Sequence, residues 1–167
     1  MTDGVGRLWA GWRAEFVESA AGGQRGECVF CKIFASDEPE AETYIVARTD
    51  LAVAILNLYP YTSGHLMVMP VRHVADLEDV DTAESGAVWG MLADSVRALK
   101  AAYRPQGINV GANLGRSAGA GVPGHFHLHA LPRWDGDTNF MTAIAETRVL
   151  PESLARTYEK LKANWPR

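Results

Sequence analysis

Long hydrophobic runs are missing from this chain. Nowhere do apolar residues continue for the ~20 positions that a bilayer-crossing helix needs, so no segment reads as a membrane span. Met1 to Ala10 also lacks the basic start and greasy centre of a secretory leader, and the chain is expected to work in the cytoplasm with no membrane partner. An excess of one charge is missing too. Sixteen basic and 20 acidic residues are interspersed and leave a net charge of -4, which advertises neither a duplex nucleic-acid surface nor an anionic-membrane patch. Any phosphate must therefore be gripped by local groups. Cysteine is scarce, with only Cys28 and Cys31. Their C-x-x-C spacing in a reducing compartment points to metal or redox chemistry before a structural disulfide.

What is present suffices for one globular core: 167 residues, of which 47% are hydrophobic. Residues 1–27 carry Trp9, Trp12 and Phe16 and loosen into Ala21-Gly22-Gly23-Gln24, the pattern of an arm and a flexible joint. The single domain is expected over residues 28–167, ending in a helical extension.

Hydrophobic periodicity gives the elements. Residues 29–35 allow one or two helical turns, and residues 43–48 and 51–57 read as a hairpin turning at Arg48-Thr49-Asp50. A turn cluster with Pro60, Ser63 and Gly64 leads into a third strand at 65–70. Over residues 82–103, Val88, Met91, Leu92, Val96, Leu99 and Tyr103 recur at three and four positions, the spacing of an amphipathic helix that Pro105 and Gly107 stop. A fourth strand is expected at 108–114 and a fifth at 125–132, joined by a glycine-rich loop. Pro151 at a first turn, with Leu154, Tyr158 and Leu161, predicts a C-terminal helix over 151–163.

Three of the five histidines stand in His125-Phe126-His127-Leu128-His129. In a strand, alternate side chains share a face, which would set the imidazoles in a solvent-reachable row about 6–7 Å apart while Phe126 and Leu128 enter the core. Imidazole suits nucleophilic work because its ordinary pKa leaves a neutral nitrogen at physiological pH, with the second nitrogen available to a partner. The glycine-rich segment 115–124, with Gly119 and Gly121 as candidate substrate contacts, can bring backbone N–H groups close to phosphate oxygens.

His125-Phe126-His127-Leu128-His129-Ala130-Leu131 resembles the alternating pattern that names the histidine-triad (HIT) family. Leu56-Asn57-Leu58-Tyr59-Pro60-Tyr61-Thr62-Ser63-Gly64-His65-Leu66-Met67-Val68-Met69-Pro70 is similar to the family's strand, turn and G-H-hydrophobic-P segment, and residues 109–115 to its penultimate strand. The likeness covers roughly Cys28 to Trp134. Leu8-Trp9-Ala10-Gly11-Trp12-Arg13 and Pro132-Arg133-Trp134-Asp135-Gly136-Asp137-Thr138-Asn139-Phe140 resemble the bacterial branch related to dinucleoside polyphosphate hydrolases and phosphorylases. The resemblance implies an α+β fold: an antiparallel five-stranded sheet with a long amphipathic helix and a C-terminal helix, often paired across a homodimer.

It also implies roles. His127 would attack the α-phosphorus of a nucleotide and form a nucleotidyl-histidine; His129 and His65 would hydrogen-bond around the site, and Asn113 would contact phosphate. Asn57 would hold ribose hydroxyls, and strand alternation would let Ile55 and Met67 line the base pocket. Relatives carrying the cysteine pair complete a structural zinc site with two histidines, here His73 and His125 beside Cys28 and Cys31. One departure bears on the reaction. Eukaryotic diadenosine hydrolases place a glutamine just before the triad, where this chain has Ala120-Gly121-Val122-Pro123-Gly124. Simple hydrolysis is thereby less favoured, and orthophosphate becomes a candidate acceptor. A nucleotide-binding scaffold with little activity and a nucleoside phosphoramidate hydrolase are the alternatives.

Overall fold

The computed structural model describes residues 28–137 and 152–166. Its centre is set by alternation. In β2 (Ala52–Leu56) and β3 (Leu66–Pro70) every residue is buried, as expected of central strands covered on both faces. Ala52, Ala54, Leu56, Leu66 and Val68 point to one side, Val53, Ile55, Met67 and Met69 to the other. With β1 (Ile45–Arg48), β4 (Gly107–Ala112) and β5 (Leu128–Arg133) they form one antiparallel sheet in the order β1-β2-β3-β5-β4.

The first face is covered by the long helix α3 (Thr82–Tyr103) through Val88, Met91, Leu92, Ala98 and Leu99, and by α4 (Leu154–Ala163) through Leu161. Asp81 and Glu84 close a reciprocal capping box at the start of α3, and Arg104 ends it in the left-handed conformation. The second face is covered by α1 (Val29–Ala35), whose Phe30 and Phe34 pack on Val53, Ile55, Met67 and Met69. The chain is thus an α+β fold, and α1 with its cysteines lies on the face opposite the long helix. Among the described residues no helix is long and apolar enough to cross a membrane.

Several boundaries differ from the sequence expectation. The first strand begins at Ile45, because Glu40-Ala41-Glu42 behind Pro39 are good helix formers and make a short helix α2 (Glu40–Thr43) that Tyr44 ends at φ 60°. β4 ends at Ala112, where Asn113 turns its amide to the Gly119 carbonyl. β5 begins only at Leu128; the Phe126 N–H donates instead to Val74 O at 2.7 Å, so the first two triad histidines precede the regular ladder. The C-terminal helix starts at Leu154 under a Ser153 cap. The expected first turn at Pro151, the arm at 1–27 and Thr138-Asn139-Phe140 lie outside the described residues.

Candidate active site

A glycine delivers the first site histidine. Gly64 sits at φ +84°, a conformation that strains any other residue, and a Cβ there would press to 3.0 Å from Leu99 Cδ2 and 3.1 Å from Pro132 Cγ between helix and sheet. The next residue, His65, turns back under the loop with 1% of its surface exposed. Its Nε2 is 2.9 Å from His129 Nδ1, and its Nδ1 receives the Tyr61 backbone N–H at 3.2 Å. Asn57 is fixed beside it, its Oδ1 accepting from Tyr59 N at 2.9 Å and its Nδ2 lying 3.4 Å from His65 Nδ1. Register then places the third triad residue: His129 is the Cα partner of Met67, so both emerge on the α1 face.

The triad is not the solvent-reachable row that strand alternation implied. His125, His127 and His129 are 0%, 5% and 8% exposed. The His127 and His129 ring centroids are 5.0 Å apart, closer than regular strand neighbours, because His127 precedes the strand proper. His125 turns away to the cysteines. His127 and His129 instead form the wall of a cavity of about 130 Å3. One water needs about 10–15 Å3 of such space, so the cavity has room for a ring system.

Asn57, Ile55, Met67, Gly119 and Gly121 line that cavity together with the two histidines. Asn113 does not; it stands one hydrogen bond behind the wall, donating to the Gly119 carbonyl at 3.4 Å. The sequence reading missed the opposite wall, made by Val29, Phe30 and Ile33 of α1 with Tyr61 and Val122. The pairing of Cys28 and Cys31 with a triad histidine carried the signal, since whatever holds those groups together also lays α1 over the triad.

The His127 ring has a defined polarity. Its Nδ1 is 2.7 Å from the His125 carbonyl oxygen, which can only accept, so the proton sits on Nδ1 and Nε2 carries the lone pair. Burial pushes the His127 pKa below the ordinary histidine value, against a smaller upward pull from that carbonyl. The ring is therefore neutral at physiological pH.

On the far side of Phe30 lies a second cluster. One ligand atom from each of Cys28, Cys31, His73 and His125 falls within 4.8 Å of the others. His125 Nδ1 is 3.4 Å from Cys28 Sγ and 3.8 Å from Cys31 Sγ, and His73 Nδ1 is 3.3 Å from Cys31 Sγ. Bonds of 2.0–2.3 Å to a tetrahedral zinc would set ligand atoms about 3.3–3.8 Å apart. The donor set fits such an ion chemically as well. The His125 Nε2 donates to Pro70 O at 2.9 Å, leaving the Nδ1 lone pair directed at the thiols. Burial and the neighbouring Cys28 raise the Cys31 thiol to about 11, a repulsion that a divalent cation would relieve.

Residues 38–136 match the HIT domain family. The chain is 46% identical over 132 residues to an AP-4-A phosphorylase of Mycobacterium tuberculosis, an alignment covering 79% of this chain and 66% of that protein. The chain thus spans slightly under two thirds of that relative's length. It is 36% identical to an uncharacterised HIT-like protein of Saccharolobus solfataricus, covering 68% of this chain and 79% of the relative. Among solved structures it resembles a zinc-bound histidine triad family protein from Mycobacterium smegmatis, with a TM-score of 0.67 and 27% identity over 83% of this chain and 92% of the other.

Proposed function

Because this chain belongs to the HIT domain family, and is related to its dinucleoside polyphosphate hydrolase and phosphorylase branch, we propose that it cleaves dinucleoside polyphosphates through a nucleotidyl intermediate on His127. One observation carries the reading: the His125 carbonyl holds the Nδ1 proton of His127, which leaves a neutral Nε2 nucleophile on the wall of a ring-sized cavity. The base would lie between Ile55, Met67 and the α1 residues, with Asn57 toward the ribose. The phosphates would run past Gly119 and Gly121, a loop that Asn113 braces. Attack by Nε2 on the α-phosphorus forms a P–N bond and expels a nucleoside phosphate, and the positive charge left on the imidazole is met by the His125 carbonyl.

We assign orthophosphate as the preferred acceptor. Support comes from the similarity to a protein called AP-4-A phosphorylase and from the missing glutamine before the triad. Cys28, Cys31, His73 and His125 would hold a structural zinc ion with no open position for water. Residues 28–167 would act as one domain behind the 1–27 arm, in the cytoplasm and as a homodimer. The test is diadenosine tetraphosphate with and without orthophosphate, with products separated. Phosphate-dependent ADP and ATP support the reading; AMP and ATP regardless of phosphate would make the enzyme a hydrolase. Binding without turnover or adduct would leave a scaffold protein.

A further inference from the structure

Burial divides the wall of the candidate active site into a floor and a rim. Phe30, Ile55, Leu56 and Met67 are buried and line the cavity from inside. Val29, Leu58 and Tyr59 line the same cavity, yet Val29 is 45% exposed and Leu58 and Tyr59 are each 52% exposed. Residues that line a cavity and also face solvent mark its mouth. Single exposed apolar side chains are ordinary, but three around one opening form a surface of the kind that a ligand covers. Of the phenylalanine and tyrosine rings on the described wall, Phe30 is buried, Tyr61 is half-buried and Tyr59 is exposed.

The backbone holds Tyr59 at that rim. Tyr59 N donates to Asn57 Oδ1 at 2.9 Å, closing a turn directly after β2. Pro60 follows, and its ring confines the residue before it to extended conformations. The turn is therefore anchored between two fully buried strands, β2 and β3. A ring on so short and restrained a segment loses little freedom when a ligand settles on it. Asn57, assigned above to the ribose of the nucleoside in the cavity, is the residue that sets this turn.

We propose that Tyr59 is a specificity-determining residue whose ring is the stacking platform for the second nucleobase of a dinucleoside polyphosphate, the base that departs with the leaving group. The inference rests on the covalent route proposed above, which uses the cavity for one base. A dinucleotide carries another, joined through the polyphosphate to the phosphorus that His127 attacks. That base has to lie beyond the buried floor, and the rim offers it an aromatic face. As His127 Nε2 forms the P–N bond, the P–O bond opposite breaks, and its electron pair leaves with the nucleoside polyphosphate whose base rests on Tyr59. Stacking recognises the face of a base and not the donors and acceptors on its edge, so either purine should serve at this outer position. It also favours dinucleotides over mononucleotides that carry the same reacting half.

The test compares diadenosine tetraphosphate with adenosine 5′-tetraphosphate, which keeps the reacting adenylyl half and the phosphate chain and lacks the second nucleoside. The full chain, purified without chelator, should show a KM about tenfold lower for the dinucleotide, the scale of one base stacked on an aromatic side chain. Tyr59→Ala should close that gap by raising the KM of the dinucleotide, with the KM of adenosine tetraphosphate and both kcat values little changed. Tyr59→Trp should keep the gap. Equal KM values in the unaltered protein overturn the proposal, and so does a gap that survives Tyr59→Ala. Equal losses on the two substrates also overturn it, since they would show that Tyr59 only supports the turn. Tyr59→Gln repeats the comparison where the alanine variant does not fold. Calorimetry on His127→Ala reads the same gap as a ratio of Kd values, independently of turnover. Absence of turnover in the unaltered protein with that Kd ratio intact would sink the covalent route and leave the platform standing; failure of both nucleotides to bind would overturn both.

Discussion

Phe30 stands edge-on to two histidines at once, its ring centroid 5.5 Å from that of His125 and 5.5 Å from that of His127. One of those rings belongs to the cysteine cluster and the other to the cavity wall. Cys28 precedes α1 and Cys31 lies within it, and the helix itself lends Val29, Phe30 and Ile33 to the wall. An ion held by both thiols would therefore fix one wall of the cavity. Removing zinc with a chelator is expected to weaken binding of a non-cleavable dinucleotide by about tenfold, a coupling of ~1.4 kcal/mol. Linkage requires the same factor in reverse, so saturating nucleotide should tighten zinc binding equally. Calorimetric titrations of each ligand with and without the other measure both; equal nucleotide affinity in the two forms would refute the coupling.

The Phe30 ring can be tested with all four residues of the cysteine and histidine cluster in place. Phe30→Leu keeps the site apolar and is expected to cost under ~1.5 kcal/mol of stability, as swaps between large apolar side chains usually do. It removes the edge contact to His127, so KM should rise several-fold with a smaller change in kcat. Steady-state kinetics read both, and a kcat loss at constant KM would contradict the pocket-wall role.

Much of this was legible in the sequence because periodicity reports which face is buried. The 82–103 helix, the hairpin and the apolar faces of β2 and β3 follow from spacing alone. The four residues of the metal-type cluster could be named only by resemblance, since His73 and His125 stand 42 and 94 positions beyond Cys31 and no local pattern joins them. What stayed hidden was the burial of the triad. A polar residue on an alternating strand reads as surface by default, and the rule cannot see that α1, far away in sequence, folds over that surface. Nor does spacing reveal that a backbone group, the Tyr61 N–H, donates to His65 Nδ1.

His127→Ala should reduce turnover of diadenosine tetraphosphate by roughly 10^4-fold or more, the scale seen when a covalent nucleophile is removed. Nucleotide binding should persist, because the remaining wall is mostly apolar and independent of that ring. Quenched-flow trapping of an acid-labile adduct in the unaltered protein, absent in the variant, checks the assignment. Turnover retained in the variant would reject it.

Acid stability should depend on Glu84. Its buried carboxylate takes Arg72 Nε and Arg72 Nη2, each at 2.7 Å, and it closes the Asp81 capping box. The Arg72 guanidinium holds the carboxyl below its ordinary value of 4.5, against the upward push of burial. A depressed folded pKa adds stability that is complete above the unfolded value and is lost as pH falls through the folded one. Urea midpoints should therefore drop more steeply below about pH 4.5 in the unaltered protein than in Glu84→Gln. Parallel acid limbs would show that the pair contributes no proton linkage.

The far edge of β4 gives the last prediction. β4 pairs with β5 on one side only, and among the described residues no strand lies on the other. Four of its six residues are exposed, including Val110 at 46%. An exposed edge bearing a β-branched residue and no charge lacks the devices that keep monomeric sheets apart. A second copy of the same edge, related by a two-fold axis, would satisfy these backbone groups and continue the sheet. Val110→Lys places like charges opposite one another across such an axis while its side chain stays in solvent in a monomer. Sedimentation velocity at micromolar concentration should then give twice the chain mass for the unaltered protein and the chain mass for the variant, with the fold intact by circular dichroism. A dimer unaffected by Val110→Lys would move the interface elsewhere, and an unaltered protein that sediments as a monomer would remove it.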